Sequence, residues 1–142
     1  MTDPIRLTDS TEVLLRQVHP AHCTADGSIS TGAFSPSKRD AGMLSTMRSA
    51  VGAAAAHQRW VSAGYESIGT YGVSVEEIDE IEVVLDDGRT CALQALDDAD
   101  HIEVDDHASI DFTEMPSNGK IRQAARKVRD AAIKRGILYP QG

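Results

Sequence analysis

The alternation of apolar and polar residues is strictest from His107 to Phe112, where Ala108, Ile110 and Phe112 point one way and His107, Ser109 and Asp111 the other. A period of two belongs to a half-buried strand, so the polar row faces either solvent or a cleft. Glu12 to His19 has the same period, with Val13, Leu15 and Gln17 set against Leu14, Arg16 and Val18. Pro20 favours an extended residue before it, which selects a strand over a short helix capped by Ser10. Ile81 to Leu85, the turn Asp86-Asp87-Gly88 and Arg89 to Leu93 read as a β-hairpin. Ser67 to Val73 is β-prone and punctuated by glycine, which marks a short strand that another backbone approaches closely.

Helical spacing predicts two main helices. The first is capped by Ser45 or Ser49 and runs to about Ala63, favoured by the alanines Ala53 to Ala56 and closed by Gly64. Ala50, Ala54, His57, Val61 and Gly64 share one stripe of it, so His57 reads as a hydrogen-bonded core or boundary histidine. The second opens at Ser117 or Asn118, buries Ile121, Ala125, Val128 and Ala132, and ends at Gly136. Ser74 and Glu77 form a capping box for one or two further turns, and Ile137 to Tyr139 read as an anchor that tucks back. Ser28 to Phe34 suggests a brief strand, 35–42 a polar loop, Leu96 to Asp106 an acidic connection, and residues 1–10 a loose lead-in.

The predicted architecture is a single α+β domain over residues 1–142. A small, mostly antiparallel sheet, including the 81–93 hairpin, packs against the helices near 49–63 and 118–135. A chain of 142 residues that is 41% hydrophobic can bury such a core without staples. No apolar run of about 18 residues is present, and the first residues lack the basic start and apolar centre of a signal peptide. The sequence therefore reads as a cytoplasmic protein with no membrane partner. Cys23 and Cys91 form no CxxC pair and read as reduced thiols.

Charge changes the picture, because the net −8 is segregated. Residues 1–72 balance, 73–116 carry one positive and fifteen negative side chains, and 117–142 carry seven positive and one negative. The acidic middle and basic tail are complementary, so docking of one on the other, or simple solvation, is expected. The overall acidity argues against a nucleic-acid partner.

Candidate chemistry gathers in the irregular stretch from Arg16 to Ser45, which holds His19, His22, Cys23, Ser30 and Thr31 among glycines and prolines. Metal binding is one use of His19, His22 and Cys23, or of His101, Asp105 and His107, but neither spacing is an established ligand set, so no metal is assigned. The same holds for calcium on Asp97, Asp98 and Asp100. Metal-free acid and base chemistry fits better: Arg16 binds an anion, His19 and His107 exchange protons, and Ser30 or Ser45 orients the substrate. The competing reading has Arg16 and His19 merely holding the loop through its backbone. Cys23 as a nucleophile beside His19 or His22 is a further option, though an inert thiol is the simpler one. Ser45 as a helix cap and Asp111 as a solvent-facing strand residue need no chemistry, and the absence of GxGxxG and GxxxxGK[ST] leaves no cofactor to assign.

The segments RQVHP at Arg16 to Pro20, AFSP at Ala33 to Pro36, Leu44-Ser45 and HASIDF at His107 to Phe112 form a pattern. In them the chain resembles a group of small uncharacterised bacterial proteins with R-x-x-H-P, A-F-x-P, L-S and H-A-x-I. The resemblance carries no activity, but it draws Arg16, His19, Ser45 and His107 into one set of candidate catalytic residues. Two functions of different class fit. One is a small enzyme or ligand-binding domain acting on a phosphorylated or nucleotide-like molecule through that Arg/His/Ser set. The other is a non-catalytic interaction module, accessory or antitoxin-like, that offers its acidic 76–106 segment or basic last helix to a protein partner.

Overall fold

The computed structural model describes residues 3–37 and 41–140; of the loop expected over 35–42, residues 38–40 lie outside the described residues. Among the described residues, eight strands and four α-helices follow one another as β1 (Ile5–Arg6), β2 (Val13–Val18), β3 (Met43–Arg48), α1 (Ala53–Ser62), β4 (Gly69–Ser74), α2 (Val75–Asp79), β5 (Glu82–Val84), β6 (Thr90–Ala92), β7 (Gln94–Asp97), α3 (Ala99–Ile102), β8 (His107–Asp111) and α4 (Asn118–Arg135). Six strands form one sheet in the order β1-β7-β8-β3-β2-β4, antiparallel throughout, and β5 and β6 form a separate two-stranded sheet. The fold is α+β, as the alternation and helical stripes predict.

The two faces of the large sheet differ in kind. Leu14, Val18, Leu44, Ala95, Ala108, Ile110, Phe112 and Val73 project to one side and are buried with Ala124, Ala125, Val128 and Ala132 of α4. Fully burying a Leu, Ile or Phe contributes roughly 1.5–3 kcal/mol, so this face carries most of the stability. Small residues on α4 let its axis come close to the strands. The opposite face carries Leu15, Gln17, Met47, Ser45, His107 and Ser109, and α1 lies over its β2–β4 side through Thr70 Oγ1 donating to Ala53 O and His57 Nδ1 bonding Gln17 Oε1 at 3.3 Å.

Several expectations are corrected by this arrangement. The first helix does not begin at Ser45: Met43–Arg48 is a strand with β2 and β8 on its two sides, and the helix starts only after Gly52. Leu44 and Thr46 point into the core while Ser45 and Met47 do not, so the residues alternate as a strand should. The helix's expected stripe is also not its buried face, since Ala56 alone is fully buried and Val61 is exposed. The 81–93 hairpin forms but stays out of the large sheet. Both flanks of β7, the strand that follows the hairpin, are occupied by β1 and β8, and Tyr139 bridges to Thr70 on the outer strand β4.

Thr31–Phe34 is a 3-10 helix rather than a strand, with a lone bridge Cys23 to Ile29 as the only β pairing of that loop among the described residues. Residues 5–7 are not loose, because Ile5 and Arg6 pair with β7 and Leu7 is buried. The capping box at Ser74 and Glu77 forms, with Ser74 N donating to Glu77 Oε1 and Glu77 N to Ser74 Oγ. At Gly69 an added Cβ would sit 2.8 Å from Tyr139 O, which is the close backbone approach that the glycine-rich strand predicts.

The segregated charges meet within the chain. Lys120 Nζ donates to Val84 O and Lys127 Nζ to Glu82 O, while Arg135 pairs with Glu77. Three cations of the basic helix are thus bound to the acidic middle segment.

Candidate functional site

Three adjacent strands bring the site together by register. Ser45 on β3 lies opposite Ser109 on β8, and Met47 opposite His107. Backbone bonds from Phe112 N to Gly42 O and from Arg48 N to Asp106 O make the even β3 positions the hydrogen-bonded pairs. Ser45 and Ser109 therefore form a non-hydrogen-bonded pair, whose side chains stand closest together. On the other flank Asp97 pairs with Ala108, so the next residue, Asp98, falls beside His107. Side chains on one face of neighbouring strands, directly or diagonally opposed, are within reach of one another.

The result is a continuous chain of hydrogen bonds. His107 Nδ1 lies 2.6 Å from Asp98 Oδ1, and Ser45 Oγ lies 2.5 Å from His107 Nε2. Ser109 Oγ donates to the second carboxylate oxygen, Asp98 Oδ2, at 2.6 Å. An ionised carboxylate only accepts, so Asp98 assigns the proton of a neutral imidazole to Nδ1 and leaves Nε2 as an acceptor for the Ser45 hydroxyl. Asp98 and Ser109 are buried, His107 is largely so, and Ser45 is half-buried. A nucleophile type, a base and a group that orients the base are thus in series.

Two cavities meet at this pair. One, of about 220 Å³, is lined by Ser45 and His107 together with Arg16, Arg59, Trp60 and Val104. The other, of about 440 Å³, also has Ser45 and His107 in its wall, with Asp98, Ser109, Met43 and His101. The first opens where β2 and β3, paired at Leu14–Arg48 and Leu15–Met47, part company. Arg16 spans that gap, its Nε donating to Ala33 O at 3.1 Å and its Nη1 to Ser45 O at 2.9 Å. Both bonds go to backbone carbonyls, which is one of the two roles the sequence allowed for Arg16.

Behind the site, Arg48 grips Glu12 through Nε and Nη2 at 2.5 and 2.7 Å and reaches Asp97 Oδ2 at 2.9 Å. The hydrogen bonding it donates to Glu12, then the charges of Glu12 and Asp97, raise the guanidinium above its ordinary value against the opposing effect of burial. The brace ties the end of β7, next to Asp98, to β2 and β3.

Of the four candidate residues, Arg16, Ser45 and His107 line one cavity, and His19 lines neither of the two. His19 caps its own 3-10 helix at Pro20–His22, Nδ1 accepting from Ala21 N, and Nε2 stands 3.3 Å from Glu66 Oε2 at the surface. His22 faces Ser30 Oγ at 3.4 Å; burial first, then the charges of Arg16 and His19, lower its pKa below the ordinary imidazole value. His57 bonds Gln17 and packs on Tyr139, as a boundary histidine would. Among the described residues, no group of three or more His, Cys, Asp or Glu side chains is placed to hold a metal ion, and no helix is long and apolar enough to cross a membrane.

The residue that sequence reasoning passed over as part of the site is Asp98. It lay in a run of carboxylates read as a connection, although the strand pair β7–β8 places it beside His107. Ser109 was visible in the polar row of β8 but given no role. No protein-family model matches the chain, and comparisons with curated proteins and with solved structures find no match. Any function must therefore be argued from the site itself.

Proposed function

We propose that this chain is a small hydrolase in which Ser45 attacks an acyl carbon, His107 takes and returns the proton, and Asp98 holds His107 in the required tautomer. The observation that carries the reading is the series Ser45 Oγ to His107 Nε2 at 2.5 Å and His107 Nδ1 to Asp98 Oδ1 at 2.6 Å, opening onto two cavities. Such an arrangement is recognised by geometry and roles, not by the order of residues in the chain. Attack by Ser45 Oγ forms a bond to the acyl carbon while its proton passes to His107 Nε2. The carbon–oxygen bond to the leaving alcohol then breaks, and the alcohol takes that proton. Water repeats the sequence on the acyl-serine and releases the acid. Arg16 serves as a positioning residue that fixes the Ser45 carbonyl.

A second reading is a domain that binds a phosphorylated or nucleotide-like molecule without covalent chemistry. Arg16, Arg59 and Trp60 in one cavity support it, since guanidinium suits phosphate and an indole face suits a base. Hydrolysis of nitrophenyl acetate by the wild-type chain and by Ser45→Ala, run beside a nucleoside monophosphate titration of Trp60 fluorescence, separates the two. Turnover lost in Ser45→Ala supports the hydrolase. Saturable quenching without turnover supports the binding domain and overturns the hydrolase.

A further inference from the structure

Asp98 occupies a position whose usual side-chain partners it does not use. Its backbone is the N-cap of α3, with its carbonyl accepting from Ile102 N at 3.0 Å, yet its carboxylate makes no capping bond. An aspartate at an N-cap ordinarily turns its side chain onto the N–H of the second or third helical residue, here Asp100 or His101. Ser74 and Ser117 cap α2 and α4 in that way. At α3 the preceding residue steps in, Asp97 Oδ1 accepting from Ala99 N at 3.2 Å, and the Asp98 carboxylate turns instead onto β8.

Two donors supplied by one strand hold it there. His107 and Ser109 are two residues apart on β8, so their side chains stand side by side on one face. Each bonds a different oxygen of the same carboxylate, His107 Nδ1 at 2.6 Å from Oδ1 and Ser109 Oγ at 2.6 Å from Oδ2. The last torsion of an aspartate side chain is broad and roughly two-fold, so a single partner fixes the carboxylate plane poorly. A second partner on the other oxygen removes that freedom. Ser109 and Asp98 are both buried, where a hydroxyl bonded to a carboxylate is stronger than in water. Among the described residues the Ser109 hydroxyl donates to Asp98 alone, whereas Ser45, opposite it on β3, bonds His107. The two serines therefore do different work.

Resting on the hydrolase reading above, we propose that Ser109 is a positioning residue of the site, whose hydroxyl keeps the Asp98 carboxylate turned towards His107 and away from the start of α3. It touches no substrate and acts through Asp98. Without it the carboxylate is free to rotate onto the backbone N–H groups of α3, and His107 loses the acceptor that assigns its proton to Nδ1. A neutral imidazole then populates both tautomers, and in one of them Nε2 carries the proton and cannot accept from Ser45.

The test pairs ring-nitrogen NMR of isotope-labelled histidine, at alkaline pH where imidazole is neutral, with steady-state hydrolysis of nitrophenyl acetate. The wild-type chain is expected to show His107 with its proton on Nδ1. Ser109→Ala is expected to shift the His107 ring signals towards a mixture of tautomers and to lower kcat about tenfold or more, the worth of one hydrogen bond to a charged group, with KM within about twofold. Ser109→Thr, which keeps the hydroxyl, should retain the wild-type ring signature and most of kcat. If Ser109→Ala does not fold, Ser109→Cys, which fills the same space with a weaker donor, is read by the same two measurements. A folded Ser109→Ala or Ser109→Cys whose His107 signals match wild type overturns the assignment, whether or not kcat falls, because a merely structural serine leaves the tautomer alone. The two levels separate cleanly. Absence of ester turnover by the wild-type chain removes the hydrolase reading, and the ring signature still decides what Ser109 does to Asp98 and His107. Turnover that is lost in Ser45→Ala, beside an unchanged signature in Ser109→Ala, removes the Ser109 role alone.

Discussion

The chain has two regions crowded with reactive side chains, and they fold to opposite ends. In the loop that follows β2, His19 and His22 turn to local work: one accepts from the backbone N–H of Ala21 and meets Glu66 at the surface, and the other sits beside Ser30. Across β7, β8 and β3, the side chains of Asp98, His107, Ser109 and Ser45 converge because antiparallel register sets them on one face of adjoining strands. A loop offers each polar group its own backbone as the nearest partner. A strand spends its backbone on the ladder, so a polar side chain there must find another side chain, a cavity or solvent. Chemistry-bearing residue types were denser in the loop, yet the sheet is what aligned them.

The widest separation between the regions is expected in catalysis. Ser45→Ala or His107→Ala should cut ester hydrolysis at least about a thousandfold, since members of such a series act as a unit. His19→Ala should stay within about twofold of wild type, as surface changes do. Steady-state rates on one nitrophenyl ester check both, and a large loss in His19→Ala would dissolve the contrast. Next comes Asp98→Asn, which keeps the shape but no longer dictates the Nδ1–H tautomer. A fall of roughly 10²–10⁴ in kcat is expected, with KM much less affected.

A smaller effect is expected behind the sheet site. Arg48→Met removes the brace between Glu12 and Asp97. It should cost about 1–2 kcal/mol, allowing for the partial exposure of these groups, and lower kcat several-fold by loosening Asp98. Urea unfolding and kcat measured on the same preparation test whether stability and rate fall together.

The smallest effect belongs to the loop and concerns stability, not activity. The pKa of His22 is lowered on folding by burial, and then by Arg16 and His19, so the unfolded chain takes up its proton more readily than the folded one. Nothing is lost while pH stays above the ordinary imidazole value of 6.5, and stability declines as pH falls through it towards the lower folded value. His22→Asn should flatten that decline in thermal melts between about pH 7 and 5, the range in which an imidazole changes charge. An unchanged slope would show that His22 contributes nothing to it.

Much of the framework was legible because it rests on one-dimensional patterns. The period of two in β2 and β8, the small-residue stripe of α4 and the Ser74–Glu77 box each involve neighbours within a few residues. β3 was missed because Ser45 sits before an alanine-rich run, where a helix cap is the local expectation, although Leu44 and Thr46 alternate with Met43, Ser45 and Met47. The separate hairpin could not be foreseen, since which sheet edges remain open depends on the placement of β1 and of Tyr139. For the site, Ser45 and His107 were named from residue type. Their partner Asp98 was hidden among Asp97, Asp100, Glu103, Asp105 and Asp106, and only the β7–β8 register sets it apart.

The central claim is that Ser45 is a nucleophile primed by His107 and Asp98, and its most direct test is labelling of the intact chain with a fluorophosphonate probe, followed by peptide mapping. The account predicts one modification per chain, located at Ser45, abolished in Ser45→Ala and strongly slowed in His107→Ala and Asp98→Asn. Labelling that is absent in the folded wild-type chain, that falls on another residue, or that proceeds unchanged without His107 would contradict it.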